Sequence, residues 1–231
     1  MQNQLKSFLF LLLLSLFATG CTTKTMYVEK PIVLEKPAAP IFEKPELIII
    51  DAGHGGKDSG TTSTRFDYEE KHLTLSTAHM IKGYLNHLGY KTLMTRQNDT
   101  FVPLSQRASV ANEANGALFV SIHYNSSPSD TAEGIEVFYY KEGEKGRVDA
   151  SQALGKEILS RLIKHTGASS RGVKTANFAV IRETDMPAIL IEAGFLTNPE
   201  ERKKLQDSNY RRFIAWGIAR GIDRYCEANR K

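Results

Sequence analysis

The run Leu47-Ile48-Ile49-Ile50 constrains this chain more than any other feature. Four consecutive large apolar residues, three of them β-branched, do not show the alternation of a half-solvated strand. They fit a strand buried on both faces, as in a sheet covered by helices. From Glu70 to Leu88, apolar residues recur at three- and four-residue steps through Leu73, Ala78, Met80, Ile81, Tyr84, Leu85 and Leu88, which predicts a helix ended at Gly89. The same alternation continues. Strands are expected at Tyr90–Met94, Ala117–Ile122, Gly134–Tyr140, Phe178–Ile181 and Ala188–Ile191, and helices at Leu104–Asn115, Val148–His165 and Tyr210–Cys226. Pro103 opens the second of these helices and Gly116 stops it. The expected fold is α/β: one three-layer domain over 47–231, with a mostly parallel twisted sheet of about six strands and helices on both faces. The composition, 41% hydrophobic and 24% charged, supplies a core of that size and excludes a disordered chain or a coiled coil. A net charge of +4, scattered along the chain, gives no basis for a nucleic-acid partner.

The first 46 residues follow another pattern. Lys6 is the only charge before Cys21, Phe8–Phe17 is an almost unbroken apolar run, and the small residues Ala18, Thr19 and Gly20 precede the cysteine. This is the layout of a secretory signal, too short for a comfortable bilayer span. Ending in Ala-Thr-Gly-Cys, residues 1–20 resemble a bacterial lipoprotein signal, which implies lipid on Cys21 and membrane attachment. Thr22 is not the aspartate that retains some lipoproteins at the inner membrane, so the resemblance points to the outer one. Residues 21–46 carry Glu-Lys-Pro three times, at Glu29, Glu35 and Glu43. Proline at this density favours extended polyproline II, a tether reaching roughly 75 Å at ~3.1 Å per residue. With Cys21 lipidated, Cys226 has no intrachain partner and reads as a packed thiol.

Chemistry-bearing residues gather where the predicted strands end, the place where open α/β sheets bind ligands. The first strand runs into Asp51-Ala52-Gly53-His54-Gly55-Gly56-Lys57-Asp58. A phosphate-binding loop would need Ser or Thr after Gly56-Lys57, and a dinucleotide fingerprint would need glycine at Asp58; neither is present. What remains is a histidine between glycines. The third strand ends Ser121-Ile122-His123-Tyr124-Asn125, and the last ends Ile191-Glu192-Ala193-Gly194. The first long helix opens with Glu69-Glu70-Lys71. Two histidines and a carboxylate make a catalytic zinc set with an open position, and a further glutamate makes a base. Singly, His54 reads as a turn residue, His123 as a core histidine, Glu70 as a complement to the helix dipole and Glu192 as a partner for Arg182. Together, at one sheet edge, they read as a site. His72, His79, His87 and His165 lie in helical stretches without such convergence and read as surface residues. Gly-x-Ser-x-Gly and His-Glu-x-x-His do not occur.

These segments resemble the zinc-dependent N-acetylmuramoyl-L-alanine amidases that remodel bacterial cell walls. The resemblance runs from about residue 47 to 206. It rests on Ile50–Gly56, Glu70-Lys71, Ser121–Asn125 and Ile191–Asn198, with Thr95-Arg96, Val102-Pro103-Leu104 and Met186-Pro187-Ala188 in matching order. It implies one zinc held by His54, Glu70 and His123, with Glu192 as the catalytic glutamate. Glu69 adjoins Glu70, and the following Lys71 favours Glu70. The implied reaction is hydrolysis of the amide between N-acetylmuramic acid and L-alanine of the stem peptide. Asn125, Arg96 and Arg182 are candidate oxyanion or substrate contacts. Glu136 reads either as support for the site or as an exposed strand residue. The implied partners are peptidoglycan and, through Cys21, a membrane; the implied location is the periplasm, with outer-membrane anchoring. The same zinc centre would serve a peptidase cutting within the stem peptide, and a lost ligand would have marked a non-catalytic wall-binding lipoprotein. Some relatives plug the site with a helix inserted after the fourth strand. Here Lys141–Arg147 holds two glycines and five charges, which predicts an open site needing no activator.

Overall fold

The computed structural model describes residues 44–63 and 68–229. Cys21 and the predicted signal and tether lie outside them, apart from the last residues before Leu47. The elements in chain order are β1 (Lys44–Ala52), β2 (Thr62–Ser63), β3 (Tyr68–Glu69), α1 (Glu70–His87), β4 (Tyr90–Met94), α2 (Leu104–Glu113) and β5 (Leu118–Asn125). There follow β6 (Ile135–Tyr139), α3 (Lys145–Thr166), β7 (Ser170–Thr175), α4 (Ala179–Arg182), β8 (Ala188–Phe195), α5 (Pro199–Gln206) and α6 (Ser208–Asn229). Among the described residues no helix is long and apolar enough to cross a membrane.

Six strands form one sheet in the order β4-β1-β5-β8-β6-β7. β4, β1, β5 and β8 run parallel, and β6 and β7, parallel to each other, run antiparallel to β8. Because strand side chains alternate, each buried strand feeds two layers. Ile48, Ile50, Val120, Ile122, Ile189 and Ile191 enter the larger core under α1, α3 and α6. Ile49, Phe119, Ala188 and Leu190 enter the smaller core on the other face, with Val180 and Ile181 of α4 and Ala111 of α2. The apolar runs at β1 and β8 thus have the physical cause expected of them: both sides of the strand are covered.

Several predicted elements differ. Phe178–Ile181 is not a strand. Phe178 is the N-cap of α4, and its carbonyl accepts from Ile181 and Arg182. The edge strand lies earlier, at Ser170–Thr175, and is mostly exposed. β5 and β8 extend past their predicted ends, so His123 and Glu192 stand within strands. Gly116 does not stop α2 by its own dihedrals. Asn115 takes the positive φ of 51°, while a Cβ on Gly116 would lie 2.4 Å from Ile49. α5 was not predicted, although Asn198 caps it through Glu200 and Glu201 and Pro199 opens it.

Candidate active site

The loop that carries His54 is built on the end of β1. Asp51 is fully buried and accepts from Arg107 (Nη1, 2.8 Å), Ser121 (Oγ, 2.7 Å) and Thr95 (Oγ1, 2.6 Å). Burial alone would raise its pKa; Arg107 and the two hydroxyls hold it below the ordinary carboxylate value. Arg107 also donates to the carbonyls of Ala52 and His54, each at 2.6 Å. Arg96, 4% exposed, donates to the carbonyls of Ala52 (2.9 Å), Gly53 (2.7 Å) and Lys71 (2.9 Å). Two buried guanidiniums thus fix the backbone that carries His54, which itself sits at φ 60°. A Cβ on Gly53 would lie 2.2 Å from the His123 ring, so only glycine lets that ring approach.

On this frame His54 Nε2, Glu70 Oε1 and His123 Nδ1 form a triangle with all three sides 3.1 Å long. Glu70 is 3% exposed, and its oxygens also accept from the backbone of Tyr124 (3.0 Å) and Thr61 (2.9 Å). Burial would raise its pKa, but both histidines hold it well below the usual carboxylate range. Asp58 accepts from His54 Nδ1 at 3.0 Å. This orients the ring and leaves the Nε2 lone pair facing the triangle, as a carboxylate behind a metal-bound histidine does. Burial opposes protonation of His54, yet Glu70 and Asp58 raise its pKa above the ordinary value. Two ring nitrogens and one carboxylate oxygen converging in this way suit a divalent cation: a tetrahedral zinc with ligands at ~2.0–2.1 Å sets them roughly 3.3 Å apart. Glu69 points elsewhere, toward Ser59, Lys71 and His72, so the geometry selects Glu70.

Glu192 lies beside His123 in the β5–β8 register. The residue is half-buried, and its Oε2 is buried with no hydrogen-bond partner among the described residues. Burial, then the nearby charges of Glu70 and Glu136, push its pKa well above the ordinary value. The triangle and Glu192 line one cleft of about 590 Å³, whose other wall includes Leu104, Phe178, Val180 and Leu190. Asn125 is also in the cleft, its amide fixed by donation to Glu136 (2.6 Å) and acceptance from Ser126 N (2.8 Å).

Two candidate contacts are corrected. Arg96 is buried and committed to backbone carbonyls, and does not line the cleft. Arg182 pairs with Asn177 and Glu183, does not reach Glu192 and lies outside the cleft lining. Glu136 is not an exposed strand residue; it is 5% exposed and paired. His72 and His79 are exposed, His87 and His165 half-buried, and none joins the triangle. Sequence reasoning missed Asp58 and Arg107. Asp58, four residues after His54, was legible as a partner; Arg107, in an Ala-rich helix, carried no local signal.

The chain was compared with known proteins. The sequence profile of the N-acetylmuramoyl-L-alanine amidases matches residues 48–224. A probable cell wall amidase, LytH, of Staphylococcus epidermidis is 34% identical over 183 residues, 79% of this chain and 59% of that protein. An N-acetylmuramoyl-L-alanine amidase structure from Clostridium difficile 630 superposes with a TM-score of 0.76 at 35% identity, covering 80% of this chain and 98% of that one. The CwlD amidase of Clostridioides difficile, solved in complex with the GerS lipoprotein, gives 0.74 at 29% identity over 80% of this chain and 100% of that one. The chain spans somewhat more than half the length of the curated relatives it matches, 59% of LytH of Staphylococcus epidermidis and 53% of the N-acetylmuramoyl-L-alanine amidase AmiC of Neisseria meningitidis. With the profile covering most of the chain, the protein belongs to the N-acetylmuramoyl-L-alanine amidase family.

Proposed function

We propose that this protein hydrolyses the amide between N-acetylmuramic acid and the L-alanine of the peptidoglycan stem peptide, as a zinc enzyme. One observation carries the reading: a triangle of candidate metal donors with 3.1 Å sides, with Glu192, whose buried Oε2 has no hydrogen-bond partner among the described residues, next to it in the register. His54, Glu70 and His123 would hold zinc, which when bound supplies a Lewis acid that activates water and polarises the amide carbonyl. Glu192 takes the proton from the attacking water and returns it to the leaving amine. Burial and the nearby carboxylates of Glu70 and Glu136 raise its proton affinity, the direction a proton acceptor requires, and a cation beside it acts in the opposite direction. Asn125, its amide already oriented by Glu136 and Ser126, offers a fixed hydrogen bond to the substrate in the cleft. Mass analysis of digested peptidoglycan is the test. Free stem peptides and intact glycan support the amidase; fragments cut inside the stem would make it a peptidase instead.

The N-terminal reading completes the proposal. Residues 1–20 direct export, lipid on Cys21 anchors the chain in a membrane, and 21–46 tether a catalytic domain beginning near Leu47. The protein would then act in the periplasm from the outer membrane. A Cys21→Ala protein recovered in the soluble fraction, with the domain still active, supports this; one that stays with washed membranes counts against it. The β6–α3 connection supports a site that needs no release. It consists of residues 140–144, and Glu144 is spent capping α3 through Gly146 and Arg147. The purified zinc-loaded domain should digest peptidoglycan unaided, and silence until a partner protein is added would overturn that.

A further inference from the structure

One face of the sheet carries charge in a row across four strands. In the register His123 of β5 stands beside Glu192 of β8, and Glu192 beside Glu136 of β6. Beyond Glu136 comes the edge strand β7. Its Arg171 (Nε, 3.2 Å) and Lys174 (Nζ, 2.5 Å) both donate to Glu136 Oε2. Glu136 Oε1 accepts from Asn125, which lines the cleft. Arg171 and Lys174 do not line the cleft themselves; Asn125 and Glu136 link them to it.

The charge count is unequal along this row. A single cation would neutralise a buried carboxylate, and Glu136 has two. Neither cation is buried: their side chains are 37% and 43% exposed, against 7% for Glu136. Lys174 uses one of its three ammonium donors on Glu136. Arg171 gives Nε to Glu136 and Nη1 to the carbonyl of Glu133, leaving other N–H groups on its fork. The cluster therefore keeps an excess positive charge and unspent donors, at a fixed place, on the same row as the metal triangle. Strands lie ~4.8 Å apart, so β6 is roughly 10 Å from β5, a distance an extended peptide covers in about three residues.

We propose that Arg171 and Lys174 extend the substrate path beyond the cleft and receive a carboxylate of the stem peptide about three residues beyond the scissile amide. In this proposal Glu136 is a positioning residue, holding the two cations on one side and Asn125 on the other. The inference rests on the amidase reading. Its competitor is that the cations only neutralise Glu136, in which case the enzyme is indifferent to the charge of the peptide.

The test uses two soluble muramoyl-peptides differing only in whether the stem carboxylates are free or amidated, with the zinc-loaded protein. The free-carboxylate substrate is expected to have about five- to tenfold higher kcat/KM. The difference should sit in KM and shrink as ionic strength rises. Lys174→Met and Arg171→Met should each bring the ratio toward one, and Lys174→Arg should keep it. Equal kcat/KM on the two substrates in the wild-type protein overturns the proposal without any variant. So does a preference that survives both methionine substitutions or is insensitive to salt. A wild-type protein that cleaves neither substrate marks the failure of the amidase reading itself, and this inference falls with it.

Discussion

The two walls of the cleft are made differently. The wall of β1, α1 and β5 places the candidate metal donors His54, Glu70 and His123 on a backbone held by buried ions. Arg96 and Arg107 between them donate to the carbonyls of Ala52, Gly53, His54 and Lys71. The facing wall, around α2 and α4, is apolar and partly open. Leu104 is 58% exposed and Phe178 39% exposed, and both border the cleft. Chemistry needs donor atoms fixed to within a fraction of an ångström, which favours locked, desolvated support. Holding a long polymeric substrate needs accessible surface. The contrast teaches that in this fold precision and access are assigned to different elements, and substitutions should separate them.

The largest effect should come from the triangle. His123→Ala or His54→Ala removes one of three donors, so bound zinc should fall from one per domain to near none, and turnover with it. Elemental analysis of the purified variants checks this; a variant that retains its metal would mean that the triangle is not the zinc site.

Next comes Glu192→Gln, which removes the base with little change in volume. The expected result is intact zinc and fold with kcat lower by about 10²–10⁴-fold. Near-wild-type turnover would assign the proton transfer to another group.

The third prediction tests the bracing. Arg107→Met removes the cation that donates to buried Asp51, and breaking a buried pair costs about 3–5 kcal/mol. Denaturant melts should show that loss. Acid should shrink it. Asp51 has its folded pKa below the ordinary 3.8, so the stability from its ionised form is present above that value and lost as pH falls through the folded one. Without Arg107, burial raises the folded pKa, so protonation of Asp51 favours the folded variant as pH falls and its deficit against wild type narrows in acid. An unchanged melt, or a deficit that widens in acid, would mean that the Arg107–Asp51 pair does not brace this wall.

The sequence made the two walls unequally legible, for physical reasons. His54 and His123 stood out because histidine beside glycine or at the end of an apolar run is costly without a task, and the β1 and β8 runs could belong only to covered strands. Asp51 obeys the same logic as Glu192, an acid ending an apolar strand. It needed a buried partner, but nothing local in the α2 sequence nominated Arg107, fifty-six positions away. The facing wall was misread because Phe178–Ile181 is a four-residue apolar run, equally suited to a strand and to a short helix. The true edge strand, Ser170–Thr175, is mostly exposed and has no apolar pattern to reveal it. Pairing fixed it, not composition.

The smallest effect should come from that facing wall. The Phe178 ring meets Phe138 edge-on, with centroids 5.5 Å apart and planes at 89°. Such a pair contributes about 0.5–1.5 kcal/mol beyond area burial, and less where one ring is open to solvent. Phe178 caps α4 through its backbone carbonyl, which alanine keeps. Phe178→Ala should therefore lower stability by about 1 kcal/mol or less, well below the Arg107→Met loss. Its mark should fall on substrate: KM for a muramoyl-peptide rises several-fold, as expected for one partly desolvated apolar contact, while zinc content and kcat stay near wild type. Steady-state kinetics beside a denaturant melt measure both quantities. If kcat instead fell a hundredfold with zinc in place, Phe178 would be acting on the geometry of the triangle. The two walls would then be one mechanical unit, and the division between a braced catalytic wall and an open binding wall would be wrong.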